Sequence, residues 1–359
     1  MNSEITIAEQ KSKPQISNKK NVKRLKILGV IFTIFGVALF SHFIYSVGFN
    51  EILSGITKIG FGGFAFILLL YFLKLVVRAI AWRLSVYEPY KLNFKDTLPA
   101  VIIGEALSSI IPLGILISGT AKAVAVRRRV PLVVGLASIA TENLFYSLVT
   151  GLFICFGAFA FLRQFPLEPT FIYLIDLVIG SIIISIIVGT LMVVRQWHWA
   201  SDLCNWFYDR GILRSILEKG RGQIRQFEDL IYGFYHKYPK RFFPIFLLQI
   251  LFHSLGIFEV WFILTRISDL FPQFSTAFFL ESMSRLITIV FKLIPFLVGV
   301  DEAGAEFIVE TLAVGTGIGV TLAIIRKGRT IFWAAIGLLL IIKRGFSFKE
   351  IQEIGNGEK

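Results

Sequence analysis

Charge is scarce in this chain. Only 17% of its residues are Asp, Glu, Lys or Arg, while 55% are hydrophobic. An ordinary water-soluble domain carries about 25% charged residues, so a soluble fold is excluded. Cysteine is nearly absent: Cys155 and Cys204 fall in different segments, which leaves no disulfide framework and no zinc spacing. The four histidines, His42, His198, His236 and His253, are scattered without ligand spacing. There is no Cys–His pair, no G-x-S-x-G elbow, no P-loop and no paired acidic motif in a polar loop. No cofactor and no metal is expected, and no nucleotide site that would drive a reaction.

What fills the chain is apolar runs near 20 residues, the length a helix needs to cross about 30 Å of hydrocarbon. Six full spans are expected: Leu25–Val47, Gly62–Leu84, Leu132–Leu162, Phe171–Val194, Phe242–Thr265 and Gly317–Ile342. The net charge of +13 follows from loops that obey the positive-inside rule, and nucleic acid is not an expected partner. Residues 1–24 read as a disordered basic cytoplasmic tail that meets anionic lipid headgroups. Residues 25–345 form the polytopic membrane domain, and residues 346–359 a second cytoplasmic tail. Within it, Arg195 to Arg241 carries nine basic residues against five acidic, so it belongs inside as an amphipathic loop. Gly48 to Phe61 reads as a short outer loop. These signs place a multi-pass protein in the cytoplasmic (inner) membrane with both termini inside. A homo-oligomer is compatible with them.

Two apolar stretches are interrupted. Leu98–Ile117 carries Pro99, Glu105 and Pro112 and has basic flanks on both sides, Lys91 and Lys95 before, Lys122 and Arg127 to Arg129 after. Equal flanks predict a re-entrant hairpin that enters from inside. Phe274–Val298 with Asp301–Val314, split at Pro295 and Gly299, predicts a second hairpin entering from outside. Broken backbone survives at membrane depth where it is buried in protein or faces a wet cavity. The expected fold is an all-α integral membrane protein with about six full spans plus two re-entrant broken hairpins in an inverted repeat.

A charge at the centre of a spanning helix costs about 2.5–3.5 kcal/mol on insertion scales, so each one asks for a reason. Arg326 is the tenth residue of its span, about 15 Å deep. Lys327 and Arg329 are expected nearer water. Glu302, Glu306 and Glu310 share one helix face by their spacing of four, as do Glu281 with Arg285, and Lys74 with Arg78 and Trp82. Lys292 lies two turns beyond Arg285. Arg78 either snorkels to the inner surface or lines an inner cavity. The buried charges together either lock helices by salt bridges or hold a charged lipid headgroup, for which Lys and Arg suit phosphate.

Several of these residues form a pattern: Pro295, then Gly299-Val300-Asp301-Glu302-Ala303, then Arg326 with Gly337 eleven residues on. Earlier come Pro112, Gly114, Lys122-Ala123 and Glu142, followed by Asn143 and Tyr146. In these motifs the chain resembles the flippase-like membrane domain of the lysylphosphatidylglycerol synthase family over roughly residues 25–345. In that family the position of Asn143 is usually Arg, that of Tyr146 an acid, and that of Asp301 often basic. The resemblance implies translocation of a phospholipid or glycolipid between leaflets, driven by a lipid or ion gradient. The aminoacyl transferase domain of the best-studied relatives has no counterpart after Phe348, so synthesis is not implied. Residues expected to bind the membrane lipid substrate are Glu105, Lys122, Glu142, Arg285, Glu302, Glu306 and Arg326; no catalytic residue is expected. The alternatives are an integral-membrane transferase using a carboxylate base on a lipid, and a non-transporting scaffold for envelope lipid biosynthesis.

Overall fold

The apolar runs of the sequence become helices, and every described element is helical. The structure, a computed structural model, describes residues 49–110, 114–210, 214–268, 271–291, 300–315 and 317–344. The expected first span, the two expected tails, and Pro112, Lys292, Pro295 and Gly299 lie outside the described residues. In chain order the helices are α1 (Phe49–Ile59), α2 (Phe61–Leu84), α3 (Phe94–Ile110), α4 (Gly114–Val126), α5 (Leu132–Gln164) and α6 (Pro169–Val194). They continue as α7 (Trp199–Asp209), α8 (Arg214–Lys237), α9 (Phe242–Ile267), α10 (Phe274–Val290), α11 (Val300–Thr311) and α12 (Ile318–Arg344).

Among the described residues, four helices are long and apolar enough to cross a membrane: α2, α5, α6, and α9 with the 3-10 turn before it. Helix α12 has the length at 27 residues, but Arg326, Lys327 and Arg329 interrupt its apolar run. Helix α6 starts on Pro169, whose fixed φ and missing N–H suit a first helical position. It buries only Ile175 and Ile179, so lipid is its main solvent.

The structure corrects two expectations and gives the amphipathic stretch Arg195–Arg241 its helices. The expected loop Gly48–Phe61 is mostly the helix α1, whose apolar Phe49, Ile52, Leu53, Ile56 and Ile59 recur at helical spacing. Pro99 does not break its segment: α3 runs through it, because a proline just past the first turn forfeits only one intrahelical bond. The polar loop Arg195–Arg241 folds into α7 and α8, and α8 packs on α5 and α6 with Ile231, Tyr232 and Phe234 buried. Glu228 accepts hydrogen bonds from the amides of Ala200 (2.9 Å) and Ser201 (3.2 Å), which joins the two helices at the start of α7.

The chain packs as two matched halves. Helices α2, α3, α4 and α5 correspond in order to α9, α10, α11 and α12. Helix α3 lies against α12, and α10 lies against α5. At the first contact Gly337 faces Ala106 and the carbonyl of Ile102; at the second Gly157 faces Ser282 and Phe278. A Cβ at either glycine would collide with its neighbour, so glycine sets the approach of both pairs. Superposing these contacts lays Glu105-Ala-Leu-Ser-Ser-Ile110 over Glu281-Ser-Met-Ser-Arg-Leu286. Helices α2 and α9 cross between the halves and run antiparallel. Phe66 meets Phe262 at 4.7 Å near one end, and Arg241 Nη1 donates to the Val86 carbonyl (2.9 Å) near the other.

Candidate functional site

The charges sit where α2 and α9 meet the two hairpins. In α2, Lys74, Arg78 and Trp82 share one face by their spacing, and that face is turned into the protein. Lys74 is 2% exposed and Trp82 1%. Arg78 does not snorkel. Its Nε and Nη2 donate to Glu142 at 3.3 and 3.1 Å, and Nη2 also donates to Asn143 Oδ1 at 3.1 Å. Its guanidinium lies 4.6 Å from the centre of the Tyr146 ring. The guanidinium beside Glu142 therefore comes from α2, where Asn143 stands in place of the arginine of the resembling motif. Gln249 of α9 donates to the same carboxylate at 3.1 Å.

Glu281 of α10 is the most enclosed acid, with 1% of its side chain exposed. Arg285, one turn on, donates to Oε1 through Nε (3.0 Å) and Nη2 (2.9 Å). Arg326 of α12 donates to Oε2 at 2.8 Å. Both carboxylate oxygens are thereby engaged by cations, which is what a buried charge requires. Glu259 of α9, 1% exposed, pairs with Arg329 and lies 3.8 Å from Lys74. Lys327 pairs with Glu302 across α11 and α12. Lys327 and Arg329, expected near water, are 5% and 7% exposed, whereas Arg326 keeps 15% of its side chain accessible.

Two aromatic rings tie these pairs together. Tyr71 donates its hydroxyl to Glu105 (2.7 Å), while its ring lies 4.2 Å beneath the Arg329 guanidinium. The Phe252 ring has Lys74, Arg285 and Arg78 around it at 4.9, 5.8 and 6.0 Å. Lys122 of α4 is 5% exposed, lies along Gly104 of α3, and sits within electrostatic reach of Glu105 and Glu142. His253 is a core residue on one edge, with Nε2 3.0 Å from the Thr150 hydroxyl and its ring stacked on Phe153. Gln249 Oε1, His253 Nδ1, Glu259 Oε2 and Arg329 Nε are buried without a hydrogen-bond partner among the described residues. Buried polar atoms are seldom left so, and a site that receives a polar ligand is one reason.

Glu302 pairs with Lys327, and of the sequence-read residues Glu105, Lys122, Glu142, Arg285 and Arg326 belong to this connected group. Glu306 does not. Its carboxylate accepts the amides of Gly317 and Val320 (3.1 Å for the latter) and caps the N-terminus of α12. Glu310 is exposed, so the acidic face of α11 is divided among three tasks. The sequence reading passed over Glu259, the only acid between Phe242 and Thr265, and that isolation in an apolar run was its signal. A separate cavity of about 310 Å³ lies between the ends of α5 and α11 and the start of α10, lined by Gln164, Phe165, Gln273, Thr276 and Leu312 among others. None of the charged group borders it.

No curated protein and no solved structure matches the chain. Residues 26–337 match the family model described as the lysylphosphatidylglycerol synthase TM region. That match takes in both helix hairpins and every residue of the charged group, and by it this multi-pass membrane protein belongs to the lysylphosphatidylglycerol synthase TM region family.

Proposed function

We propose that the protein moves a lipid between the leaflets of the cytoplasmic membrane, taking the charged headgroup into the polar junction between its two halves. Family membership makes it a membrane protein of lipid handling. One observation carries the finer reading: a contiguous set of buried ion pairs at the crossing of α2 and α9, between two short-helix hairpins. Buried ion pairs stabilise poorly, since apolar replacements are often neutral or better, so their number speaks for a task other than holding the fold. The headgroup is held through the accessible sides of Arg285, Arg326 and Arg78, with Lys122 and Glu105 on the first hairpin and Glu302 on the second. In this reading the hairpins are re-entrant from opposite sides, the spans outside them number six, and the termini are cytoplasmic. The antiparallel α2 and α9 support halves of opposite sense, as alternating access between leaflets requires.

The test is leaflet exchange of fluorescent lipids in proteoliposomes. Arg326→Ala leaves Glu281 neutralised by Arg285, so the protein is expected to stay folded while exchange falls at least tenfold. Exchange at the wild-type rate in a folded Arg326→Ala protein removes Arg326 from the mechanism. Conversion of the lipid to a new mass by the purified protein would instead make it a transferase.

A further inference from the structure

We infer that the headgroup taken at this junction is net anionic, a phosphate-bearing lipid without a compensating amine, and that its phosphate is received by the Arg285–Arg326 pair. The inference rests on the translocation reading and gives it a substrate class.

The first ground is charge balance. Apart from the Lys327–Glu302 pair, the connected group holds six cations, Lys74, Arg78, Lys122, Arg285, Arg326 and Arg329, against four carboxylates, Glu105, Glu142, Glu259 and Glu281. The excess is two positive charges. Nearby acids do not remove it: Glu306 caps a helix, Asp96 pairs with Arg129, and Asp301 joins none of these pairs. Desolvated charge without a counter-ion is costly, so either the buried lysines of the group give up their protons or the site takes an anion.

The second ground is geometry. Glu281 is sealed, yet Arg285 and Arg326, which enclose it, keep 21% and 15% of their side chains accessible. Arg285 spends Nε and Nη2 on Glu281, and Arg326 spends Nη2, so each has further N–H donors for a second acceptor. Two forked, partly accessible guanidiniums beside a buried carboxylate suit the tetrahedral oxygens of phosphate. For an ammonium, only Glu105 lacks a cation among the ion pairs of the described residues. Glu142, Glu259, Glu281 and Glu302 are each already engaged by a cation, and Glu105 is held by Tyr71. Past the ring of Phe252, Arg78 and Lys122 form a second cationic lobe in the other half, so an anion leaving Arg285 meets cations on its way.

The experiment compares three fluorescent lipids with identical chains in proteoliposomes of the full-length protein: phosphatidylglycerol (net negative), phosphatidylethanolamine (zwitterionic) and lysylphosphatidylglycerol (net positive). The anionic lipid is expected to exchange at least tenfold faster than the other two. Arg285→Gln with Arg326→Gln should abolish that preference, while Arg326→Lys should keep part of it. Equal rates for all three, or preference for either amine-bearing lipid, overturn the inference and leave translocation standing. Exchange of none of them above protein-free vesicles overturns translocation and this inference with it. The lipid comparison uses the unaltered protein, so a misfolded variant does not obscure the result.

Discussion

The two hairpins share a backbone plan and hold their buried acids differently. In the first, Glu105 receives a single hydrogen bond from the neutral phenol of Tyr71. In the second, Glu281 at the matching position is clamped by two guanidiniums. The difference traces to two substitutions between the halves. One turn past each acid stand Ser109 and Arg285, and eleven residues before each packing glycine stand Tyr146 and Arg326. The second half carries its own cations, whereas the first borrows Arg78 from the crossing helix and stacks it on Tyr146. A symmetric scaffold can therefore carry an asymmetric site: the glycine contacts fix the helix approach, and the polar positions beside them are free to differ.

The sharpest way to break this comparison is to remove each acid. Glu281→Ala leaves Arg285 and Arg326 facing each other in a buried place and should cost about 3–5 kcal/mol, seen as loss of folded protein or a large fall in thermal midpoint in detergent. Glu105→Ala strands one phenol and should cost about 1–3 kcal/mol in the same measurement. Equal losses would mean that the two acids are held alike.

Smaller effects test the scaffold. Gly157→Ala and Gly337→Ala should each cost about 1–3 kcal/mol, because each pushes apart one of the two matched helix pairs. If only one of them shifts the unfolding midpoint, the halves are not packed equivalently. The smallest change is Tyr71→Phe. It keeps the ring beneath Arg329 and removes the donor to Glu105, for about 0.5–1.5 kcal/mol. A midpoint as low as that of Glu281→Ala would show that the Tyr71 hydroxyl anchors far more than one carboxylate.

Much of the fold was legible because hydrocarbon is a severe solvent. Long apolar runs have one stable backbone form there, so the spans now seen as α2, α5, α6 and α9 were readable within a few residues. The interrupted stretches are separate helices among the described residues, α3 and α4 in one, α10 and α11 in the other. The amphipathic α1 was missed because eleven residues with Gly, Ser and Asn resemble a connecting loop. The site was half legible. Arg326 stood out by depth, and Arg285 and Glu302 by their spacing of four, yet Arg78 was left with two readings and Glu259 was passed over. Pairing depends on which helix crosses which, and no single-chain periodicity reports that.

The sequence by itself determined that the chain is a helical membrane protein, which segments are broken, and that charge is concentrated in them. Each follows from local properties, since a residue's cost in lipid depends on its own polarity and its place along a helix. Only the tertiary structure decided that Glu281 lies between Arg285 and Arg326, that Arg78 answers Glu142, and that Glu306 closes a helix end. Partners for a buried charge are chosen by helices distant in sequence meeting at contact distance. In this protein glycines at 157 and 337 and the antiparallel crossing of α2 and α9 set those meetings.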